Sequence, residues 1–83
     1  MNLNIATSIP LHTLLPGERA TLFDLSQCRS TLSRLATLGF TPGVELTMNQ
    51  NYGRGPLIVT VRGMQVALGR GEAAKILVQR REA

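Results

Sequence analysis

The segment Leu35-Ala36-Thr37-Leu38-Gly39-Phe40-Thr41-Pro42-Gly43-Val44-Glu45-Leu46 constrains the fold more than any other stretch of this chain. Upstream, Cys28, Leu32, Leu35 and Leu38 recur at helical spacing, with Arg29, Ser30, Ser33, Arg34 and Thr37 on the opposite face. That pattern predicts an amphipathic helix laid against a core. Gly39 supplies the left-handed conformation that closes such a helix, and Pro42-Gly43 supplies a turn. Beyond the turn, Val44, Leu46 and Met48 alternate with Glu45, Thr47 and Asn49, so the apolar period switches from about 3.6 to 2 and a half-buried strand begins. A chain with this junction feeds one short helix directly into a β-sheet.

The 83 residues make a single domain, 1–83, whose core is small because a chain of this length buries only roughly 60–65% of its unfolded surface. Hydrophobic residues are 43% and aromatics only 4%, so that core is aliphatic. The one cysteine cannot form an internal disulfide, and no stretch approaches the roughly 20 apolar residues of a membrane helix. Met1-Asn2-Leu3-Asn4-Ile5 lacks the basic start of a secretory signal, which predicts a cytoplasmic protein.

Residues 1–13 read as an irregular lead-in, Pro16-Gly17 as a turn, and Arg19 to Leu25 as a first strand with Ala20 and Leu22 facing inward. Phe23 and Leu25 break strict alternation and predict a bulge or a strand buried on both faces. Ser26 or Ser30 is the expected helix cap, although neither has Glu or Gln three residues on. After the strand from Val44, Asn51-Tyr52-Gly53-Arg54-Gly55-Pro56 is turn chemistry, and Leu57-Ile58-Val59-Thr60-Val61 is the strongest β-former. Arg62-Gly63-Met64 reverses the chain into Gln65-Val66-Ala67-Leu68. Gly69 to Ala74 makes a short 3₁₀ or one-turn connection to Ile76-Leu77-Val78, and 79–83 form a short basic tail. The sum is a mainly β fold of about five strands with one helix after the first. Tight turns between short strands favour a small barrel, since closure removes exposed edges.

The order and spacing of several of these signals resemble the FeoA family, the small cytoplasmic component of bacterial ferrous iron uptake. The resemblance rests on Leu15-Pro16-Gly17-Glu18, on Arg34-Leu35-x-x-Leu38-Gly39-Phe40-x-Pro42-Gly43, and on Gly55-Pro56-Leu57-Ile58-Val59 with Gly63 and Ala67-Leu68. It covers Leu14 to Val78. The chain departs from the family pattern at Leu68-Gly69-Arg70, where FeoA-like sequences more often place a basic residue directly after the leucine. The resemblance implies an SH3-like β-barrel. It also implies a non-catalytic role in ferrous iron transport, exercised by binding the cytoplasmic, G-protein-bearing side of the membrane transporter FeoB. An association with transition metals comes with that context, but an iron-transport setting does not make this chain an iron carrier.

Chemistry-bearing sets are scarce. His12 is the only histidine, and nothing near it or Cys28 in sequence activates a nucleophile. There is no Cys-x-x-Cys, no His-x-x-x-His and no carboxylate cluster, so no metal ligands, cofactor or catalytic residues are expected. Gly69-x-Gly71-x-x-Ala74 matches the dinucleotide fingerprint in form only, because the βαβ unit and the acid about 20 residues on have no room before Ala83. Nine Lys and Arg against five Asp and Glu give a net charge of +4, scattered along the chain. This charge supports a second reading, a small basic barrel that binds nucleic acid, for which Tyr52 is the one exposed aromatic candidate. A partner-binding module is the first reading. Its candidate surface combines Arg34 and Thr37 on the outer helix face, Tyr52 and Arg54 on the glycine-flexed loop, and Met64 at the next turn.

Overall fold

The structure, a computed structural model, describes residues 8–80. Its elements are β1 (Ser8–Pro10), a 3₁₀ turn (Leu11–Thr13), β2 (Arg19–Asp24), α1 (Leu32–Thr37), β3 (Glu45–Gln50), β4 (Leu57–Val61), β5 (Met64–Leu68), α2 (Arg70–Ala73) and β6 (Leu77–Arg80). The strands form one antiparallel sheet in the order β1-β6-β2-β3-β4-β5. Among the described residues no β1–β5 pairing closes it, so the fold is mainly β and barrel-like with an open seam. Ala20, Leu22, Leu46, Met48, Val59, Val61, Leu68 and Val78 all point to the inner face and join a single core. Phe40 is its largest fully buried side chain.

The helix-to-strand junction forms as its residues demand. Gly39 has φ +103°, its N–H donates to the carbonyl of Ala36 (3.0 Å), and the N–H of Phe40 donates to the carbonyl of Leu35 (2.9 Å). This is the paired bonding of a Schellman C-cap, with Leu35 and Phe40 both fully buried as its apolar clasp. The Pro16-Gly17 turn is present too: Gly17 has φ +93°, Glu18 N–H donates to Leu15 O at 3.0 Å, and Leu15 N–H donates back to Glu18 Oε1 at 2.7 Å. A bulge lies between Leu22 and Asp24 in the β2–β6 ladder, where alternation broke in the sequence.

Four expectations change. The lead-in is structured from Ser8, because Ile9 pairs with Val78 across the sheet and Leu11 and Leu14 are fully buried; the strands among the described residues therefore number six. The basic tail is shorter than 79–83, since Gln79 and Arg80 belong to β6; Arg81 to Ala83 lie outside the described residues, as do Met1 to Thr7. The helix begins at Leu32 behind Thr31, with no side-chain cap bond, so neither Ser26 nor Ser30 caps it. Leu32 is 45% exposed; Cys28 reaches the core from the turn before α1, not from the helix itself. Helical spacing was real for Leu35 but accidental for Cys28, whose segment is held by turn bonds from Cys28 N–H to Leu25 O and from Thr31 N–H to Cys28 O.

Candidate partner-binding surface

Tyr52 and Arg54 sit on the loop between β3 and β4, and one asparagine fixes that loop. Asn51 Nδ2 donates to the carbonyls of His12 (2.9 Å) and Leu14 (2.8 Å). Its Oδ1 accepts from the N–H of Gly53 (3.0 Å) and from Arg70 Nη2 (2.7 Å). Both donors and both lone pairs of the amide are therefore used. The loop tip is turned outward by Gly53 and Gly55 at φ +84° and +74°, leaving Tyr52 76% exposed. Leu15, the neighbour of the Leu14 carbonyl that Asn51 holds, is 64% exposed. An aromatic ring, an aliphatic side chain and a guanidinium thus project from two loops that one side chain pins together.

Helix α2 carries this arrangement to α1. It packs against the 3₁₀ turn, its Arg70 holds Asn51, and its Glu72 accepts a hydrogen bond from Arg34 Nη2 in an ion pair. Arg34 is consequently linked to the Tyr52 loop through Glu72, α2, Arg70 and Asn51. Thr37 is not part of this network: its hydroxyl donates back to the Ser33 carbonyl at 2.9 Å, as a helical threonine does. Met64, 49% exposed, follows the Arg62-Gly63 turn at the opposite end of β4 from the Tyr52 loop. The length of β4, about 13 Å from Leu57 to Val61, stands between them.

Asn51, Arg70, Glu72 and Leu15 are the residues that sequence reasoning missed. Asn51 ahead of Tyr-Gly had a local signal, since asparagine commonly turns the chain by accepting an N–H two residues on. The other three had none. Beneath the loop, His12 Nδ1 and Arg70 Nε are buried without a hydrogen-bond partner. Elsewhere the positive charge is partly answered: Arg80 makes two bonds to Glu18 (2.8 and 3.2 Å), and Arg19 lies 3.9 Å from Glu45. The Glu18 carboxyl is held below its ordinary pKa by the Arg80 hydrogen bond first and the Leu15 N–H second.

No arrangement for bond-making chemistry emerges among the described residues. Cys28 is buried, and desolvation pushes its thiol pKa up, with Glu72 adding to the effect, so the thiolate that would be the nucleophile is disfavoured. Among the described residues no group of three or more His, Cys, Asp or Glu is placed to hold a metal ion. A groove of about 310 Å³ on the outer sheet face is lined by Val44, Glu45, Thr47, Thr60, Arg62 and Gly63. Among the described residues no helix is long and apolar enough to cross a membrane.

The FeoA domain model matches residues 9–80, nearly everything the structure describes. The chain belongs to the FeoA family. This places it in ferrous iron transport, and the SH3-like character expected from the sequence agrees with the fold. A protein of Methanocaldococcus jannaschii named for Fe(2+) transport (transport protein A) is 32% identical over 70 residues, covering 84% of each chain. A crystal structure of the iron uptake regulatory protein FeoA superposes with a TM-score of 0.80 at 27% identity, covering 90% of this chain and 99% of the other. FeoA of Stenotrophomonas maltophilia, solved with zinc and described as a procaryotic SH3 domain protein, is 31% identical with a TM-score of 0.69, covering 83% and 87%.

Proposed function

We propose that this FeoA protein is a non-catalytic, cytoplasmic binding module that supports ferrous iron uptake by docking on the cytoplasmic side of the membrane iron transporter FeoB. The observation that carries the proposal is the pinned loop: Tyr52 and Arg54 project from a backbone anchored by Asn51, whose amide has every hydrogen-bonding position filled. Tyrosine and arginine anchors dominate protein interfaces, and a loop already ordered in the free protein loses little entropy when it binds. Arg34 joins them through α2 as a flanking contact, and Leu15 extends the apolar part of the surface. Met64 and Thr37 have no such link and are at most peripheral to this surface.

The test compares uptake of radiolabelled ferrous iron in a strain deleted for this gene and complemented with wild type or with Tyr52→Ala/Arg54→Ala. Neither side chain makes a hydrogen bond or ion pair among the described residues, so the double variant should keep its fold by circular dichroism. Arg34→Ala is kept out of that variant because it also frees Glu72. Wild type should restore uptake and retain FeoB in a pull-down, and the variant should do both poorly. Normal uptake without the protein would overturn the function, and a fully competent variant would overturn the surface.

A further inference from the structure

The open seam of the sheet has two unlike edges. β1 is three residues long, ends in Pro10 and passes at once into a 3₁₀ turn, features that blunt an edge. β5, Met64-Gln65-Val66-Ala67-Leu68, has no charge, no proline and an unbroken register with β4, and among the described residues no strand lies beyond it. The Arg62-Gly63 turn, with φ +51° and +80°, is a two-residue hairpin connection, so the flanking pair Val61 and Met64 is hydrogen-bonded. Bonded and non-bonded pairs alternate along an antiparallel ladder, so Met64, Val66 and Leu68 bond to β4. Gln65 and Ala67 turn their N–H and C=O groups outward.

We infer that β5 is a homodimerisation edge, taking β5 of a second copy of this chain in antiparallel register about a two-fold axis at Val66. That register sets Gln65 opposite Ala67 of the second copy and Ala67 opposite its Gln65, so all four outward N–H and C=O groups of each strand are used. On the inner face Val66 and Leu68 are already buried in each copy's own core, so what the pairing adds there is cover for the half-exposed Met64, which comes beside Leu68 of the second copy. A foreign strand would have to reproduce this pattern, whereas the second copy has it by symmetry. The two arginines beyond the strand ends are drawn aside, Arg62 with its stem over Gly39 and Arg70 bonded to Asn51. Because the axis is two-fold and β1 is blunted, association stops at the dimer.

Pairing a five-residue strand buries less than the roughly 800 Å² per partner of a stable interface, so dimers should appear at protein concentrations on the order of 0.1–1 mM. Sedimentation velocity over that range should show the mass rising from 9.0 kDa toward twice that value. Ala67→Pro removes an outward donor while sparing the β4 ladder, and Gln65→Lys places like charges on both edges; each should hold the protein at one chain. Hydrogen exchange supplies a readout that needs no variant. The Gln65 and Ala67 amides should gain about tenfold protection between dilute and concentrated samples, while the Val66 amide stays protected in both. A wild type monomeric throughout overturns the inference, as does a dimer that survives both substitutions. Protection of Gln65 and Ala67 that comes only with added FeoB cytoplasmic region also overturns it, in favour of a foreign strand. The inference is independent of the FeoB reading, since it needs neither transporter nor iron.

Discussion

Replacing Gly39 by alanine should destabilise the protein by about 1–3 kcal/mol, for reasons that can be separated. At φ +103° an L-residue is strained by roughly 1–3 kcal/mol, since this angle lies well beyond the narrow left-handed well. A methyl group there would also lie 3.0 Å from Arg62 Cδ. The stem of Arg62 can move, so this contact adds only the cost of an off-rotamer side chain, about 0.5–1 kcal/mol. Against both stands the loss of glycine's freedom in the unfolded chain, worth about 0.4–1 kcal/mol in favour of alanine. An 83-residue domain has only about 4–12 kcal/mol in total, so urea unfolding should show a clear fall in midpoint with an unchanged slope. The melting temperature should fall about 4–8 °C for each kcal/mol lost. Repeating the substitution in an Arg62→Ala background isolates the contact. An unchanged midpoint in both backgrounds would refute the account of the helix stop, and a cost that vanishes without the Arg62 stem would refute the backbone part of it.

Three further outcomes follow from the same structure. Asn51→Ala should cost about 2–3 kcal/mol in urea unfolding, because the carbonyls of His12 and Leu14 and the Arg70 guanidinium all lose a partly buried partner; it should also weaken FeoB pull-down by loosening the Tyr52 loop. The folded pKa of Glu18 is depressed, so its contribution to stability is present above the ordinary carboxylate range and is lost as the pH falls through the folded value; Glu18→Gln should flatten the acid limb of the stability curve while leaving its shape above about pH 6 unchanged. Cys28 should resist a thiol reagent at pH 8 in the native protein and react promptly in urea, and fast labelling of the native state would contradict its burial.

How much of the candidate surface was legible in the sequence depended on range. Tyr52 and Arg54 could be picked out because their loop is punctuated by glycines, and Arg34 because it falls opposite the apolar positions of α1. That Arg34 and the loop are joined could not be read, since Glu72 and Arg70 lie in a one-turn helix whose sequence signals only a connection. Arg70 became a structural hub through the Asn51 side chain 19 positions away.

The sequence by itself determined the parts whose cause is local: the Gly39 stop, the Pro16-Gly17 turn, the alternation of β3 and β4, and the Arg62-Gly63 reversal. Each is set by the φ a residue tolerates or by the period at which apolar side chains recur, and neither depends on the rest of the chain. Tertiary structure decided that Ser8–Pro10 is a strand, that Leu32 faces outward, that Met64 stands apart from Tyr52, and that the sheet ends open at β5. A three-residue segment holding a proline has no intrinsic preference strong enough to become a strand. It does so here because β6, nearly the whole chain length away, offers unpaired backbone groups beside a core that Leu11 and Leu14 complete.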